Sequence, residues 1–236
     1  MKRETVPETL LEKLCEVDTP TVCNAIEVAQ KKRGFNRFTK GTMLHCRPGM
    51  PAMVGRARTA RIAGLAPPTE EPQTIKARRL EYFRSMARGP GPTVAVIEDV
   101  DYPNCIAGWW GEVHVAVHKG LGMKGAVTNG VMRDLDVIDE GFPILAGSVG
   151  PSHGYVHVRD IGKPVSVMGV EVEEDDLVHA DRHGAIVIPE SVIPALEDAI
   201  DTVIANEAII LGPARTPGFT IEKLEEAWAE FELRRT

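Results

Sequence analysis

Short, almost entirely apolar segments of strand length are the strongest constraint on the fold of this chain. Residues 93–97 (TVAVI), 125–128 (GAVT) and 185–188 (AIVI) are such segments. Apolar runs without polar alternation are typical of strands that are covered on both faces of a sheet. Residues 53–62 (MVGRARTARI) alternate instead, which also indicates a strand. The sequence therefore predicts an α/β fold built on a buried sheet.

Helical patterns lie mainly towards the two ends of the chain. They cover residues 7–16, a segment from Pro20 that closes at Gly34, and residues 75–88 and 189–211. A last helix is predicted from the cap Thr220, with an apolar stripe that packs on the body or on a neighbouring subunit. The stripe consists of Ile221, Leu224, Trp228 and Phe231. We predict one domain over residues 1–212 and a C-terminal helical extension over residues 213–236.

Charge and composition exclude several classes of protein. The chain has 236 residues, enough for a full core, and a net charge of −7, which disfavours binding to nucleic acid or to an anionic membrane surface. No apolar run approaches the roughly 20 residues of a membrane helix, and the basic N-terminus lacks the apolar segment of a signal peptide. The four cysteines show no metal-type spacing. We expect a cytoplasmic protein with reduced thiols.

Residues 108–138 (GWWGEVHVAVHKGLGMKGAVTNGVMRDLDVI) concentrate the features of a site. The pattern predicts a helix over residues 109–120, with Val113, Val117 and Leu121 on its apolar face, then a buried strand at 125–128 and a turn at 129–130. Arg133 and Asp134 follow, and we expect them to open a second helix. Charged residues just past a buried strand are where α/β proteins usually keep their chemistry.

The residue types suit a 2-oxo acid and a divalent metal. Arg133 carries a planar fork of donors for a carboxylate, and Asp134 is a hard oxygen ligand for Mg²⁺. Glu112, near a helix start, suits an acid or base acting directly or through water, and the amides of Val113 and His114 suit an anion. In the alternative, structural interpretation, Asp134 only caps a helix and Arg133 is a surface residue.

Other residues offer competing chemistry. His114 and His118, four residues apart on one helical face, form an alternative metal pair. Neither Lys119 nor Lys124 is well placed to form a Schiff base with a substrate, although the sequence alone leaves that role open for both. Arg56 and Arg58 share a strand face and are predicted to meet solvent or a subunit rather than an anion. The acidic residues 98–101 are predicted to form a solvated loop, a metal site being the alternative.

At residues 110–136 the sequence resembles the family of 4-hydroxy-4-methyl-2-oxoglutarate aldolases and of proteins related to the regulator of ribonuclease activity A. The resemblance extends to residues 18–26 (DTPTVCNAI), 53–62 and 177–189 (LVHADRHGAIVIP). It implies a three-layer β-β-α sandwich similar to the phosphohistidine swivelling domain, assembled as homotrimers or homohexamers. It also implies a class II aldolase that uses Mg²⁺ or Mn²⁺ and often decarboxylates oxaloacetate.

The resemblance also implies roles for the residues. By position, Asp134 looks like the metal ligand and Arg133 like the residue that binds substrate and stabilises the enolate. Glu112 would hold metal-bound waters, and Val113 and His114 would offer amides to the pyruvyl carboxylate.

Family sites lie between subunits, and Glu207 is the candidate for a carboxylate from a neighbour. Asn129 stands where the family commonly has Asp, and the acidic residues 173–176 (EEDD) replace a more usual Pro-Gly-Asp turn. A non-catalytic protein that binds an RNA-degrading enzyme is the second hypothesis.

Overall fold

The computed structural model describes residues 5–234, which form a mixed α/β structure. Its α-helices are α1 (Glu8–Glu16), α2 (Thr19–Gln30), α3 (Pro72–Met86), α4 (Glu112–Gly120), α5 (Ile193–Ala214) and α6 (Ile221–Arg234). Its first strands are β1 (Leu44–His45), β2 (Met53–Ala63), β3 (Thr93–Asp99), β4 (Gly108–Trp110), β5 (Ala126–Thr128), β6 (Val131–Met132), β7 (Ile144–Ala146) and β8 (Ser148–Val149). The later strands are β9 (His157–Ile161), β10 (Val165–Val167), β11 (Val170–Val172), β12 (Leu177–Asp181) and β13 (Gly184–Ile188).

One large sheet organises the described residues. Its strands run in the order β1-β7-β5-β3-β2-β12-β13, and β9 also pairs with β2. The pairs β2–β3, β3–β5 and β5–β7 are parallel, whereas β12 and β13 are antiparallel to their neighbours. A small parallel sheet, β4-β6-β8, lies beside it, and β10 and β11 form a hairpin. The strands β5 and β6 thus carry the chain from the large sheet into the small one.

Alternate residues of β3 face two different layers. Ala95 and Ile97 pack with α3 and α4, through side chains such as Tyr82 and Val115. Val94 and Val96 pack on the opposite face, against the apolar side chains of the β10–β11 hairpin. Because both faces of the strand are covered, its apolar run has no polar alternation. A third cluster joins α1, α2 and α5 at the β12–β13 end of the sheet.

The strand predictions at residues 53–62, 93–97, 125–128 and 185–188 are confirmed by β2, β3, β5 and β13. The terminal helices are confirmed too, and Asp18 caps α2 by accepting the Thr21 amide at 2.9 Å. Helix α2 ends at Gln30, where Lys31 takes a left-handed conformation, rather than at Gly34. Strand β9 was not predicted, because its alternation of His157, Arg159 and Asp160 with apolar residues is weak.

The central segment corrects two predictions. Trp109 and Trp110 lie in β4, paired with β6, so the helix begins only at Glu112. The helix buries Val115 and His118, whereas the predicted apolar face points outward, with Val113 at 68% exposure and Val117 at 37%. Arg133 and Asp134 open no helix; they form a loop after β6.

Several charged groups that were predicted to face solvent are buried instead. Arg58 is 4% exposed and forms ion pairs with Glu174 and Asp175. These ion pairs connect the acidic segment 173–176 to strand β2. Asp99 is fully buried, and Asp101 accepts the amides of residues 64 and 65 at 2.7 and 2.8 Å. Asp99 Oδ1 also accepts the Asp101 amide at 3.0 Å, so both carboxylates contact backbone amides of the fold.

The C-terminal helix α6 buries only Ala227, while Ile221 is 60% and Trp228 48% exposed. Helix α5 spans residue 212 and ends at Ala214. None of the helices formed by residues 5–234 combines the length and the apolar character needed to cross a membrane.

Candidate active site

Arg133 is fixed along strand β4 by two backbone carbonyls. Its amide donates to Trp110 O at 2.8 Å, and its Nε donates to Gly108 O at 3.4 Å. Strand β6, which ends at Met132, pairs in parallel with β4 and so brings the arginine beside it. The guanidinium therefore has a defined direction while its side chain remains 30% exposed.

Asp134 lies between the arginine and the start of helix α4. Its Oδ2 accepts the amide of Glu112 at 3.2 Å, and its Oδ1 lies 3.2 Å from Arg133 Nη1. The carboxylate therefore lies between the guanidinium and the positive end of the helix dipole. The carboxylate caps α4, which precedes it in sequence, and it also stays 29% exposed. Capping and ligand binding are thus compatible here.

The backbone of Asp134 is in the left-handed region, with φ of 60°. Aspartate is one of the few residues other than glycine that adopt this conformation at small cost. Such backbone conformations cluster at functional sites, where the surrounding structure holds them in place. Here the left-handed conformation directs the carboxylate back towards α4, whereas an extended backbone would continue in the direction of β6.

Two glycines leave the space that the charged pair occupies. A Cβ on Gly111 would lie 2.4 Å from Asp134 Oδ2 and 3.1 Å from Arg133 Cγ. A Cβ on Gly108 would lie 2.9 Å from Arg133 Cδ. Sequence reasoning did not identify these glycines as part of the site. The sequence feature that could have identified them is their position on either side of the Trp109-Trp110 pair.

An open cavity of about 590 Å³ adjoins Arg133 and Asp134. It is also lined by Leu135, Asp136, Val137, Val149, Gly150 and Pro151. The volume exceeds the needs of pyruvate and is sufficient for a small 2-oxo acid with a substituent. Val149 is the last residue of β8, and Gly150 and Pro151 follow that strand.

The structure brings Glu112 next to this pair through its backbone rather than through its carboxylate. Its amide is held by Asp134, while its side chain is exposed. Intrahelical bonding begins with Val115 N, which donates to Gly111 O at 3.0 Å. The amides of Val113 and His114 therefore belong to the first turn, where helix amides have no intrahelical acceptor. Among the described residues, the lining of the cavity includes neither these two residues nor Glu112.

The side chain of His114 points inward. Its ring lies 4.0 Å from that of Trp109, centroid to centroid, and its buried Nδ1 has no hydrogen-bond partner within residues 5–234. Burial, followed by the charges of His118, Arg79 and Arg133, lowers the pKa of His114 to about 3. The imidazole is therefore neutral at ordinary pH.

The hydrogen bonds of His118 determine its tautomer. Its Nδ1 lies 2.6 Å from His114 O, and because a carbonyl only accepts, Nδ1 carries the proton. Its Nε2 then accepts from the Tyr82 hydroxyl at 2.6 Å, and that hydroxyl accepts from Trp109 Nε1 at 3.3 Å. Burial lowers the pKa of His118 to about 4. Both ring nitrogens are occupied, so the alternative of a His114–His118 metal pair is wrong.

The donor set that remains fits a hard divalent cation. Asp134 offers carboxylate oxygens, and ions such as Mg²⁺ keep several waters and often take only one or two carboxylates from the protein. Within residues 5–234, no three His, Cys, Asp or Glu side chains cluster as ligands. A Zn²⁺ site of the closed structural type is therefore not formed by this part of the chain.

The other candidate residues lie elsewhere. Lys119 pairs with Asp139 at 2.5 Å, and Lys124 lines a different cavity with Cys15. Glu207 lines a cavity of about 200 Å³ between α2, α5 and α6, with Asn24 Nδ2 at 3.5 Å. Its role as a carboxylate for a neighbouring subunit stays a prediction.

Asn129 supports the site by connecting the ends of two neighbouring strands. Its Oδ1 accepts the Asp99 amide at 2.7 Å, and its Nδ2 donates to Asp99 O at 3.1 Å. It thereby joins the ends of the parallel strands β3 and β5 just before Arg133. An aspartate could accept here but, when ionised, could not donate, so the amide has a specific use in this chain.

Known proteins resemble the chain over most of its length. A crystal structure from Pseudomonas syringae has 21% sequence identity and a TM-score of 0.68, covering 98% of this chain and 97% of the other. RraAS2 of Streptomyces coelicolor, described as an unusual member of the RNase ES inhibitor RraA family, has 23% identity and a TM-score of 0.63, covering 98% and 99%. These likenesses show a shared fold.

A sequence relative and a family model add to this. Protein DlpA of Legionella pneumophila is 24% identical over 190 residues, which are 78% of this chain. The chain spans only 28% of the length of DlpA. The model of the RraA-like family, described as Aldolase/RraA, matches residues 19–187, which contain the Arg133–Asp134 loop, both glycines and helix α4. The chain therefore belongs to the RraA-like (Aldolase/RraA) family.

Proposed function

We propose that the protein is a divalent-metal-dependent class II pyruvate aldolase that cleaves a 4-hydroxy-2-oxo acid. One observation carries the proposal: Arg133 and Asp134 are held side by side at an open cavity by β4 carbonyls and the first amide of α4. The family description, which names aldolases, supports it. The two glycines beside this partly exposed ion pair also support the proposal, because they leave space for it that folding alone does not require.

Asp134 would hold the cation, Mg²⁺ or Mn²⁺, with waters as the remaining ligands. When bound, such a cation supplies Lewis-acid polarisation of the substrate carbonyl. Asp134 is suited to this position because its carboxylate is partly exposed at the cavity and is held in place by Arg133 and by the first amide of α4.

Arg133 would bind the 2-oxo acid and stabilise the enolate of pyruvate. Its guanidinium matches the geometry of a carboxylate, and its positive charge lies where negative charge develops on the carbonyl oxygen. The amides of Val113 and His114 would donate to the substrate carboxylate at the helix start. Both groups are fixed before substrate arrives, which lowers the reorganisation needed for reaction.

Glu112 would take the proton from the C4 hydroxyl through a water as the C3–C4 bond breaks. Its exposed side chain, at the first position of α4, leaves room for that water. Decarboxylation of oxaloacetate, which we also propose, needs the enolate stabilisation but no such base. The neutral imidazole of His114 keeps a further positive charge away from Arg133.

We also propose an assembly of three or six copies in the cytoplasm, with sites near the subunit interfaces. Val113, Val117 and Leu121 give α4 an exposed apolar face close to Glu112, and such faces often mark protein contacts. A relation between this fold and the phosphohistidine swivelling domain is part of the same proposal, supported by the hairpin, sheet and helix layers. Light scattering measures the number of copies.

The test is release of pyruvate from oxaloacetate and from 4-hydroxy-2-oxo acids, with Mg²⁺, with Mn²⁺ and with EDTA. We expect activity with metal, loss with EDTA, and a decrease of at least about 100-fold for Asp134→Asn, a change at the metal-holding group. Asp139→Asn is the matched control, since that carboxylate lies in the same loop but is exposed and paired only with Lys119 among charged groups of the described chain. Absence of activity with every metal would leave the non-catalytic, nuclease-binding hypothesis.

A further inference from the structure

A buried network of hydrogen bonds joins helix α3, strand β4 and helix α4. The indole Nε1 of Trp109 lies 3.3 Å from the Tyr82 hydroxyl oxygen, and that oxygen lies 2.6 Å from His118 Nε2. The network ends at His114 O, which lies 2.6 Å from His118 Nδ1. Tyr82 and His118 are fully buried, and Trp109 is 3% exposed. The network therefore belongs to the interior of the single chain.

Each hydrogen bond in this network has only one possible direction. An indole N–H only donates and a peptide carbonyl only accepts, so the two ends fix the protons between them. Trp109 donates to the Tyr82 hydroxyl, and the hydroxyl donates to His118 Nε2. His118 Nδ1 then donates to His114 O. Loss of the hydroxyl alone would leave a buried donor and a buried acceptor without partners, which is costly at low local dielectric.

The two elements that this network joins are those that hold the charged pair of the candidate active site. The backbone carbonyls that flank Trp109 in β4 accept from the Arg133 amide and from its Nε. The first amide of α4 donates to Asp134 Oδ2 at 3.2 Å. The position of β4 relative to α4 thus sets the position of the arginine relative to the aspartate.

A single residue, Gly111, separates β4 from α4 along the chain. Because glycine has no Cβ, its backbone restricts the angle between two elements less than that of any other residue. Contacts from elsewhere in the fold therefore have to hold this angle. The Tyr82 hydroxyl supplies such contacts, since one oxygen bonds to a side chain of β4 and to the imidazole of His118 in α4. His118 extends the connection to the first turn of α4 through His114 O.

We propose that Tyr82 and His118 are positioning residues of the candidate active site, which fix β4 and the first turn of α4 relative to each other. Both side chains are buried and lie outside the lining of the cavity, so they act through Arg133 and Asp134. The kinetic consequence of this inference rests on the proposed function. Its geometric content is independent of the reaction.

Tyr82→Phe removes only the hydroxyl at the centre of the network. We expect kcat/KM for oxaloacetate decarboxylation with Mn²⁺ to decrease at least about tenfold, since a misplacement of about 1 Å reduces rates roughly 100-fold. The decrease should fall mainly on kcat, because the charge that Arg133 stabilises develops as the bond breaks. The Kd for Mn²⁺, measured by calorimetry without substrate, should rise several-fold. Tyr102→Phe is the matched control, because it removes the same group from a side chain that is 49% exposed.

A double variant separates positioning from stability. In Tyr82→Phe/His118→Phe the hydroxyl and its acceptor are both replaced by apolar rings, and loss of both partners destabilises less than loss of one. We expect the melting temperature to recover relative to Tyr82→Phe, whereas kcat/KM and Mn²⁺ affinity stay low. Ile200→Val removes one buried methyl group from the cluster of α1, α2 and α5, and this control should lower stability but neither of those values. Recovery of activity together with stability would assign the network to stability alone and overturn the inference.

A crystal structure of Tyr82→Phe separates this inference from the proposed function. We expect the distance from Glu112 N to Asp134 Oδ2 to increase from 3.2 Å to more than about 3.5 Å, beyond the range of a hydrogen bond. This displacement supports the positioning role even if no 2-oxo acid is cleaved and no Mn²⁺ binds, in which case the proposed reaction fails alone. An unchanged distance overturns the inference, while aldolase activity of the unmodified protein stands. If Tyr82→Phe does not fold, the double variant replaces it in each measurement.

Discussion

Replacing Gly111 by alanine tests the geometry of the candidate active site with a single methyl group. The backbone of Gly111, at φ −146° and ψ −176°, is extended, so alanine introduces no backbone strain. Its Cβ would lie 2.4 Å from Asp134 Oδ2, 3.1 Å from Arg133 Cγ and 3.2 Å from Arg133 Nε. Because ordinary contacts begin near 3.4 Å, the carboxylate has to move by about 1 Å.

Such a shift breaks the contacts that define the site. The bond from Glu112 N to Asp134 Oδ2 is already 3.2 Å long, as is that from Arg133 Nη1 to Oδ1, so neither tolerates a further displacement of this size. A misplacement of about 1 Å in a reacting constellation reduces rates roughly 100-fold. Overpacking and the lost hydrogen bond lower the free energy of unfolding by about 1–3 kcal/mol.

The assay is kcat/KM for pyruvate release, together with the Kd for Mn²⁺ and thermal unfolding. Gly120→Ala is the matched control, because it lies at the other end of α4 and its Cβ would meet nothing within 4 Å. We expect the control to keep activity and to gain up to about 1 kcal/mol of stability from the helix propensity of alanine. Unchanged kcat/KM and Mn²⁺ affinity in Gly111→Ala would refute the arrangement of Arg133 and Asp134 described above.

Three further predictions concern stability. The pKa of His118 is lowered from 6.5 to about 4, so between these pH values this group binds a proton in the unfolded chain but not in the folded one. Its contribution to the free energy of unfolding therefore decreases as the pH falls from about 6.5 to about 4, by roughly 3 kcal/mol at most, and the buried His114 adds to the same slope. Equilibrium denaturation across this range measures the slope, and His118→Phe should flatten it. Asn129→Asp removes the donor to Asp99 O and should lower the unfolding free energy by about 1–3 kcal/mol, measured in urea; an unchanged midpoint would contradict the bracing role. Arg58→Met leaves Glu174 without its buried cation and should lower the melting temperature, by an amount corresponding to about 3 kcal/mol, whereas a stabilised variant would show that the ion pair is dispensable.

The sequence identified the elements whose pattern has one physical explanation. The apolar segments that form β3, β5 and β13 are too short for helices and lack alternating polar residues. A strand buried on both faces is the conformation that this pattern predicts. Pro20 likewise indicated the start of α2, because proline suits the first turn of a helix, and in the structure Asp18 caps that turn by accepting the Thr21 amide. The Arg133-Asp134 pair was identified from its place after a strand and turn.

Other features depended on contacts between distant segments. Helix α4 offered two apolar faces, and local pattern favoured Val113 and Val117; the structure buries Val115 and His118, because Tyr82 of α3 supplies a partner for the imidazole. The pattern of charges likewise left Arg58 at the surface, since its partners Glu174 and Asp175 lie more than a hundred residues away.

The amino-acid sequence by itself determined the strands β2, β3, β5 and β13, the family resemblance and the identity of the charged pair, because these follow from local chemistry. Only the tertiary structure decided what surrounds that pair. In the structure the backbone of Asp134 is left-handed and its carboxylate accepts the first amide of α4. Gly108 and Gly111 lie against Arg133, and Val149 lines the same cavity. These relations join separate strands and a helix, and their energies come from packing and hydrogen bonds that no local stretch of sequence contains.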